Sequence, residues 1–195
     1  MDKDERRGNE NSEGGAAKPM KMVEGKLIAE LMKDSRRSDR ELSKVIGVSQ
    51  PTVSRMIKRL EKDGYIREYT MVPDFRKLGY ELVALTFLKL KKNLTSEETQ
   101  KARETAREKI KESRFPIVML ERGMGLGYDG VLVGIYESYT SYTEHMNLLR
   151  TYSFLETSHM ESFLISLSDK IRYRPLTLAL IAEHVLKIKK SVGTT

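Results

Sequence analysis

Apolar residues recur along this chain in two different periods. Leu27, Ile28, Leu31 and Met32 lie on one stripe of a 3.6-residue repeat and predict a helix from about Val23. Ser38 and Glu41 have capping-box spacing, so a second helix is expected near Asp39, burying Leu42, Val45 and Ile46. Gly47 follows where a left-handed residue would stop it. Ser49 and Pro51 mark a third helix, because serine caps well and the amide that proline lacks has no helical partner in the first turn. Its buried stripe is Val53, Met56, Ile57 and Leu60. Beyond Gly64, the residues Tyr65, Ile66, Tyr69 and Val72 favour extended structure and predict a small wing.

From Tyr80 the period changes to two. "YELVALTFLKLK" is apolar on both alternating faces, with Leu82, Ala84, Leu88 and Leu90 on one and Val83, Leu85 and Phe87 on the other, as in a strand covered twice. A capping box at Thr95 and Glu98 opens a charged helix to about Ser113, with a narrow stripe of Ala102, Ala106 and Ile110. "FPIVMLERG" and "GVLVGIYES" read as two strands joined by a glycine-rich hairpin loop, Gly123 to Gly130. Ser141 and Glu144 predict the cap of a further helix with Tyr142, Met146 and Leu149 inside, and "SHMESFLISL" supplies the last strand. The resulting order, βαββαβ, describes a ferredoxin-like sheet with both helices on one face. Nothing in the chain then covers the other face. A second subunit is expected there, and a twofold dimer would pair two reading helices for two half-sites.

Composition narrows the chemistry. The 195 residues are 39% hydrophobic, enough for two small cores, and 35 Lys plus Arg against 28 Asp plus Glu leave a net charge of +7 that favours an anionic partner. With no cysteine there is no disulfide framework, thiolate metal site or cysteine nucleophile, and a cytoplasmic location is expected. Residues 1–21 read as a disordered polar tail, 22–72 as a winged helix-turn-helix domain, 73–79 as a hinge and 80–168 as the ferredoxin-like domain. Residues 169–195 form a C-terminal extension, an amphipathic helix from Pro175 through Leu178, Ile181, Ala182 and Val185. Its apolar run is too short to cross a bilayer.

The third helix carries the chemistry. Two short helices, a glycine turn and a cationic second helix make the helix-turn-helix arrangement, whose second helix meets base edges with its N-terminal part. Ser49, Gln50, Thr52, Ser54 and Arg55 are therefore the expected readers of double-stranded DNA. Lys58, Arg59 and Lys62 are expected at phosphates, with Arg67 at a flanking one. The competing reading is a three-helix protein-interaction module with a solvated basic face. His145, His159 and His184 stand at no ligand spacing, so no metal site is expected. The glycine-rich loop joins strands where a phosphate loop would open a helix, and no cofactor is implied.

The stretch "LIAELMKDSRRSDRELSKVIGVSQPTVSRMIKRLEKDGYIREYTMVPDFRKLGY", with its "RLEKDGYI" exit and "PDFRKLGY" hinge, resembles the Lrp/AsnC family of transcription regulators. "GLGYDGVLVGIYES" is similar to that family's Gly-x-x-Asp loop. The resemblance, from about Val23 to Leu167, implies an α+β chain: a winged helix-turn-helix, then a ligand-sensing RAM-type βαββαβ domain. It also implies dimers, often octamers, and an amino-acid effector bound near that loop. Carried onto this sequence, the effector positions are Gly125, Gly127, Tyr128 and Asp129, where a carboxylate could meet an amino group and glycines could expose backbone amides. A plain tight turn explains the same glycines. The implied function is a DNA-binding regulator that is not an enzyme. Two alternatives stand beside it: a sirohaem decarboxylase-like tetrapyrrole enzyme on the same scaffold, and an architectural DNA-coating protein.

Overall fold

The computed structural model describes residues 20–171 and 176–192. All of the expected tail but Met20 and Lys21 lies outside the described residues, as does Pro175 of the extension. Two units emerge, residues 20–72 with 176–192 and residues 73–171.

The first unit begins with α1 (Met22–Lys33), α2 (Asp39–Ile46) and α3 (Gln50–Lys62). The capping box forms, with the Glu41 amide donating to Ser38 Oγ at 3.3 Å and the Ser38 amide donating to Glu41 Oε2 at 2.8 Å. Gly47 ends α2 at φ 79°, a conformation that disfavours any side chain. Leu27, Leu42, Val53 and Leu60 are fully buried and collect Ile28, Leu31, Ile46, Met56 and Ile57 around them. Val45, expected inside, is 58% exposed, because an eight-residue helix seats only the narrow stripe through Leu42 and Ile46. After α3 the chain runs on without a strand ladder, so the wing is an extended segment and not a hairpin. Tyr69 Oη pins it by donating to Glu61 Oε1 at 2.9 Å; burial, and then that bond, push the phenol up to about 12.

The second unit contains β1 (Leu82–Leu88), α4 (Ser96–Lys111), β2 (Ile117–Gly125), β3 (Tyr128–Tyr136), α5 (Tyr139–Arg150) and β4 (Glu161–Ser166). The four strands form an antiparallel sheet in the order β2-β3-β1-β4. The period of two divides its faces. Leu82, Ala84, Thr86, Leu132 and Tyr136 lie beneath the helices and are buried, with Met146 and Leu149 of α5 packed on them. On the other face Val83, Leu85 and Phe87 stand in register with Ile135, Val133 and Val131 on one side and with Ile165, Phe163 and Glu161 on the other. Phe163 there is 65% exposed and Ile165 42%.

Beneath the helices Tyr136 folds back over Gly134, where a Cβ would stand 2.4 Å from the hydroxyl, so only glycine fits. The Tyr136 hydroxyl reaches His145 Nδ1 at 2.7 Å, and Phe115 stacks on the imidazole at 4.4 Å. Burial pushes His145 down to about 4, which keeps the ring neutral near pH 7. The cap of α5 lies three residues before the expected one, with the Ser141 amide donating to Ser138 Oγ at 3.1 Å; Glu144, expected to complete the box, pairs with Arg114 at 2.9 Å.

The C-terminal helix α6 (Ala179–Val192) belongs to the first unit and packs along α1. α1 buries Gly25 and Ala29, and α6 buries Ala182. At about 100° per residue, Gly25 and Ala29 lie about 40° apart and roughly opposite Leu27. α1 thus has two buried sides, one in the helix-turn-helix core and one of small residues.

Candidate nucleic-acid interface and sensor hairpin

The outer side of α3 presents Gln50, Arg55, Lys58 and Lys62 as exposed residues beside Ser49, with Thr52 and Ser54 half-buried. Ser49 makes no cap through its side chain; its hydroxyl pairs with Thr52 Oγ1 at 2.8 Å. Arg55 lies back over the first turn, its Nε 3.4 Å from the Pro51 carbonyl and its Nη2 3.4 Å from Thr52 Oγ1. Such long bonds are weak and leave the guanidinium able to swing toward a base edge. Arg67 is exposed on the extended segment.

Arg59 is placed differently from the phosphate contact expected of it. Its Nη1 donates to Glu24 Oε1 at 2.8 Å and its Nε to Asp63 Oδ2 at 3.2 Å, tying α3 to α1. Glu24 is 2% exposed, and its other oxygen accepts from the Lys21 amide at 2.8 Å. Nη2 is buried without a partner among the described residues. Sequence reasoning missed Glu24, because a partner 35 positions away leaves no local spacing to read. Its one signal was its place near the start of α1, where acids are common anyway.

In the second unit the eight-residue loop expected between the strands contracts to a two-residue turn. Leu126 and Gly127 have φ 53° and 78°, both positive, the requirement of a type I′ hairpin. Gly125, Tyr128 and Asp129 therefore lie in strand ends, with Gly127 in the turn. Among the described residues, nothing beyond the chain neighbours comes within 4 Å of where a Cβ on Gly125 or Gly127 would stand, and both have positive φ, so backbone conformation explains these glycines. Asp129 is exposed, and its Oδ2 accepts the Leu90 amide at 2.8 Å, fixing the end of β1. Tyr128 tilts against Phe87 at 5.5 Å, and its hydroxyl bonds to Glu161, which raises its pKa.

Residues 23–67 match the family model described as winged helix-turn-helix DNA-binding. The HTH-type transcriptional regulator FL11 of Pyrococcus furiosus is 35% identical over 79 residues, 40% of this chain and 52% of that protein. The HTH-type transcriptional regulator LrpC of Bacillus subtilis is 47% identical over 53 residues, 27% of this chain and 37% of that protein. The chain thus spans about half, or less, of the length of these relatives. Among solved structures, B. subtilis LrpC superposes with a TM-score of 0.60 at 24% identity over 80% of this chain and 100% of its own. E. coli AsnC superposes at 0.62 and 18%, over 82% and 99%. A Neisseria meningitidis transcriptional regulator in complex with L-Met reaches 0.68 at 17%, over 86% and 99%. At these identities the structures speak for the fold. The α+β fold and the resemblance read from the sequence are borne out by these matches.

If Arg59 is the anchor of α3, Arg59→Ala strands the buried Glu24 and lowers the unfolding free energy of its unit by about 3 kcal/mol. Lys58→Ala, one residue away and exposed, shifts it by no more than about 0.5 kcal/mol. Urea denaturation followed by circular dichroism separates the two. Equal stabilities would restore Arg59 to the role of a phosphate contact.

Proposed function

We propose that this chain, with a winged helix-turn-helix unit and the fold of the Lrp/AsnC regulators, is a sequence-specific DNA-binding transcriptional regulator. The observation that carries the reading is α3: cations and short polar side chains stand exposed on one side while Val53 and Leu60 are buried on the other. Gln50, Thr52, Ser54 and Arg55 read base edges in the major groove. Lys58, Lys62 and Arg67 meet phosphates and supply the salt-dependent part of the affinity. The relatives quoted above are named as transcriptional regulators, which favours this reading over a tetrapyrrole enzyme or a DNA-coating protein.

The working form is a homodimer. Its support is the apolar sheet face on which Phe163 and Ile165 are exposed beside the half-buried Val83, Leu85 and Phe87, since contiguous exposed apolar patches mark interaction sites. Each large side chain covered there contributes about 1.5–3 kcal/mol. Octamers are the higher assembly in keeping with the resemblance. The effector is an amino acid held beside the hairpin of Gly125, Gly127, Tyr128 and Asp129. Asp129 has one oxygen committed to Leu90 and the other to offer an ammonium group. A ligand there acts on DNA by favouring one assembly over another, through its differential affinity for the two.

Arg55→Ala is expected to weaken binding to a selected operator by about 1–3 kcal/mol and to relax preference at one base position. Lys58→Ala weakens all duplexes alike and flattens the salt slope by about one unit. Fluorescence anisotropy on operator and random duplexes measures both, and parental binding by both variants would remove α3 as the reader. For assembly, Phe163→Glu is expected to turn a dimer into a monomer at micromolar concentration in light scattering. A parent chain that is itself monomeric would refute the dimer. For the effector, Asp129→Asn keeps an acceptor for Leu90 and removes the charge. It is expected to abolish the heat of amino-acid binding in calorimetry while basal DNA affinity stays as it was, and unchanged heat would leave the hairpin as a plain turn.

A further inference from the structure

On the helix-covered side of the sheet lies a second feature, separate from the hairpin and the open face. α4 and α5 stand apart over the sheet and leave a cavity of about 60 Å³ walled by Leu88, Ile110, Leu120, Leu132 and Leu149. An apolar cavity of about 150 Å³ accepts benzene, so this one suits a branched aliphatic group of about three heavy atoms. Lys109, Ser113, His145 and Tyr152 give it a polar lining as well, and the first and third of these distinguish it from an ordinary packing gap. Lys109 lines it from α4, half exposed and held by Glu112 at 3.1 Å, a surface pair that costs little to break. His145 lines it from α5 and is 2% exposed.

The state of that histidine follows from its neighbours. Nδ1 is taken by the Tyr136 hydroxyl at 2.7 Å, and the ring face by Phe115. The buried phenol has no other acceptor among the described residues, so it donates to Nδ1 and the imidazole proton sits on Nε2. Nε2 makes no hydrogen bond to the described residues, and the imidazole forms part of the cavity wall. A donor in the wall and an ammonium at the mouth call for an acceptor with negative charge. Among the described residues no Asp or Glu lines the cavity, so a free amino group would find hydroxyls, of Ser113 and Tyr152, but no countercharge in its wall.

We propose that this cavity binds a short apolar monocarboxylate, its branched hydrocarbon end between α4, α5 and the sheet and its acid group served by Lys109 and the His145 N–H. Such a ligand differs in kind from the amino acid proposed for the hairpin. It would also change the seat of α4, a sixteen-residue helix whose one buried residue is Ala102. A bound hydrocarbon joins Ala106 and Ile110 to Leu149 and holds α4 against the sheet.

The test titrates the isotopically labelled full chain with 3-methylbutanoate and with its neutral amide, followed by amide NMR shifts. Saturable shifts are expected within residues 106–120 and 145–155, with roughly millimolar affinity for so small a ligand. Lys109→Glu, at an exposed position, is expected to weaken the acid about fivefold or more and leave the amide unaffected. Ala106→Leu fills the cavity and should abolish both while the melting temperature holds, and Asp129→Asn should change neither. The proposal is overturned by shifts that do not saturate, by shifts centred on residues 125–129 that vanish in Asp129→Asn, or by a folded Ala106→Leu that binds like the parent. If Ala106→Leu does not fold, Lys109→Glu decides: equal loss or no loss for acid and amide also overturns it.

Discussion

The buried ion pair between Glu24 and Arg59 sets the geometry on which the helix-turn-helix unit depends. A carboxylate 2% exposed is tolerable only with a cation against it, and that cation comes from α3. Of Arg55, Lys58, Arg59 and Lys62, the third is therefore turned toward α1 and half-buried while the others are exposed. The pair fixes the roll of α3 about its own axis, which the apolar stripe of Val53 and Leu60 alone would leave looser. α1, the partner in this contact, also packs along α6. Both ends of the described chain thus converge on one helix.

A different constraint governs the sheet. Strands with apolar side chains on both faces require two covers, and α4 and α5 supply one. Beneath them Tyr136 pairs with His145, and Thr86 Oγ1 with Ser162 Oγ at 2.9 Å. On the opposite face Val83, Leu85 and Phe87 are half-buried, and Phe163 and Ile165 are exposed. The sheet thus has one side packed under its helices and another that exposes large apolar side chains.

What could be read in advance was what local rules encode. The capping box of Ser38 and Glu41, the left-handed Gly47 and the Pro51 start of α3 each act within one helical turn, and the structure matches them. The two-faced apolar pattern of β1 was legible for the same reason. Contacts between distant residues were not. Nothing near Arg59 points to Glu24, and nothing in the extension points to α1. The glycine-rich stretch looked like a long loop because glycine disfavours strands, yet cross-strand pairing carries β2 and β3 through to a two-residue turn. Ser141 with Glu144 had the spacing of a cap, as Ser138 with Ser141 did, and sequence alone offered no means of choosing. His145 showed neither its burial nor its partner, since the phenol that holds it belongs to a different element.

The most direct measurement is an amide and side-chain NMR titration of the full chain with a duplex selected from a random pool by the protein itself. If α3 is the reading helix and Arg59 its anchor, the largest changes fall on Gln50, Thr52, Ser54, Arg55 and Lys58. The Arg59 side-chain signal then stays where it is in the free protein. Changes centred on another element, with the outer side of α3 silent, would contradict the assignment of this helix as the DNA reader.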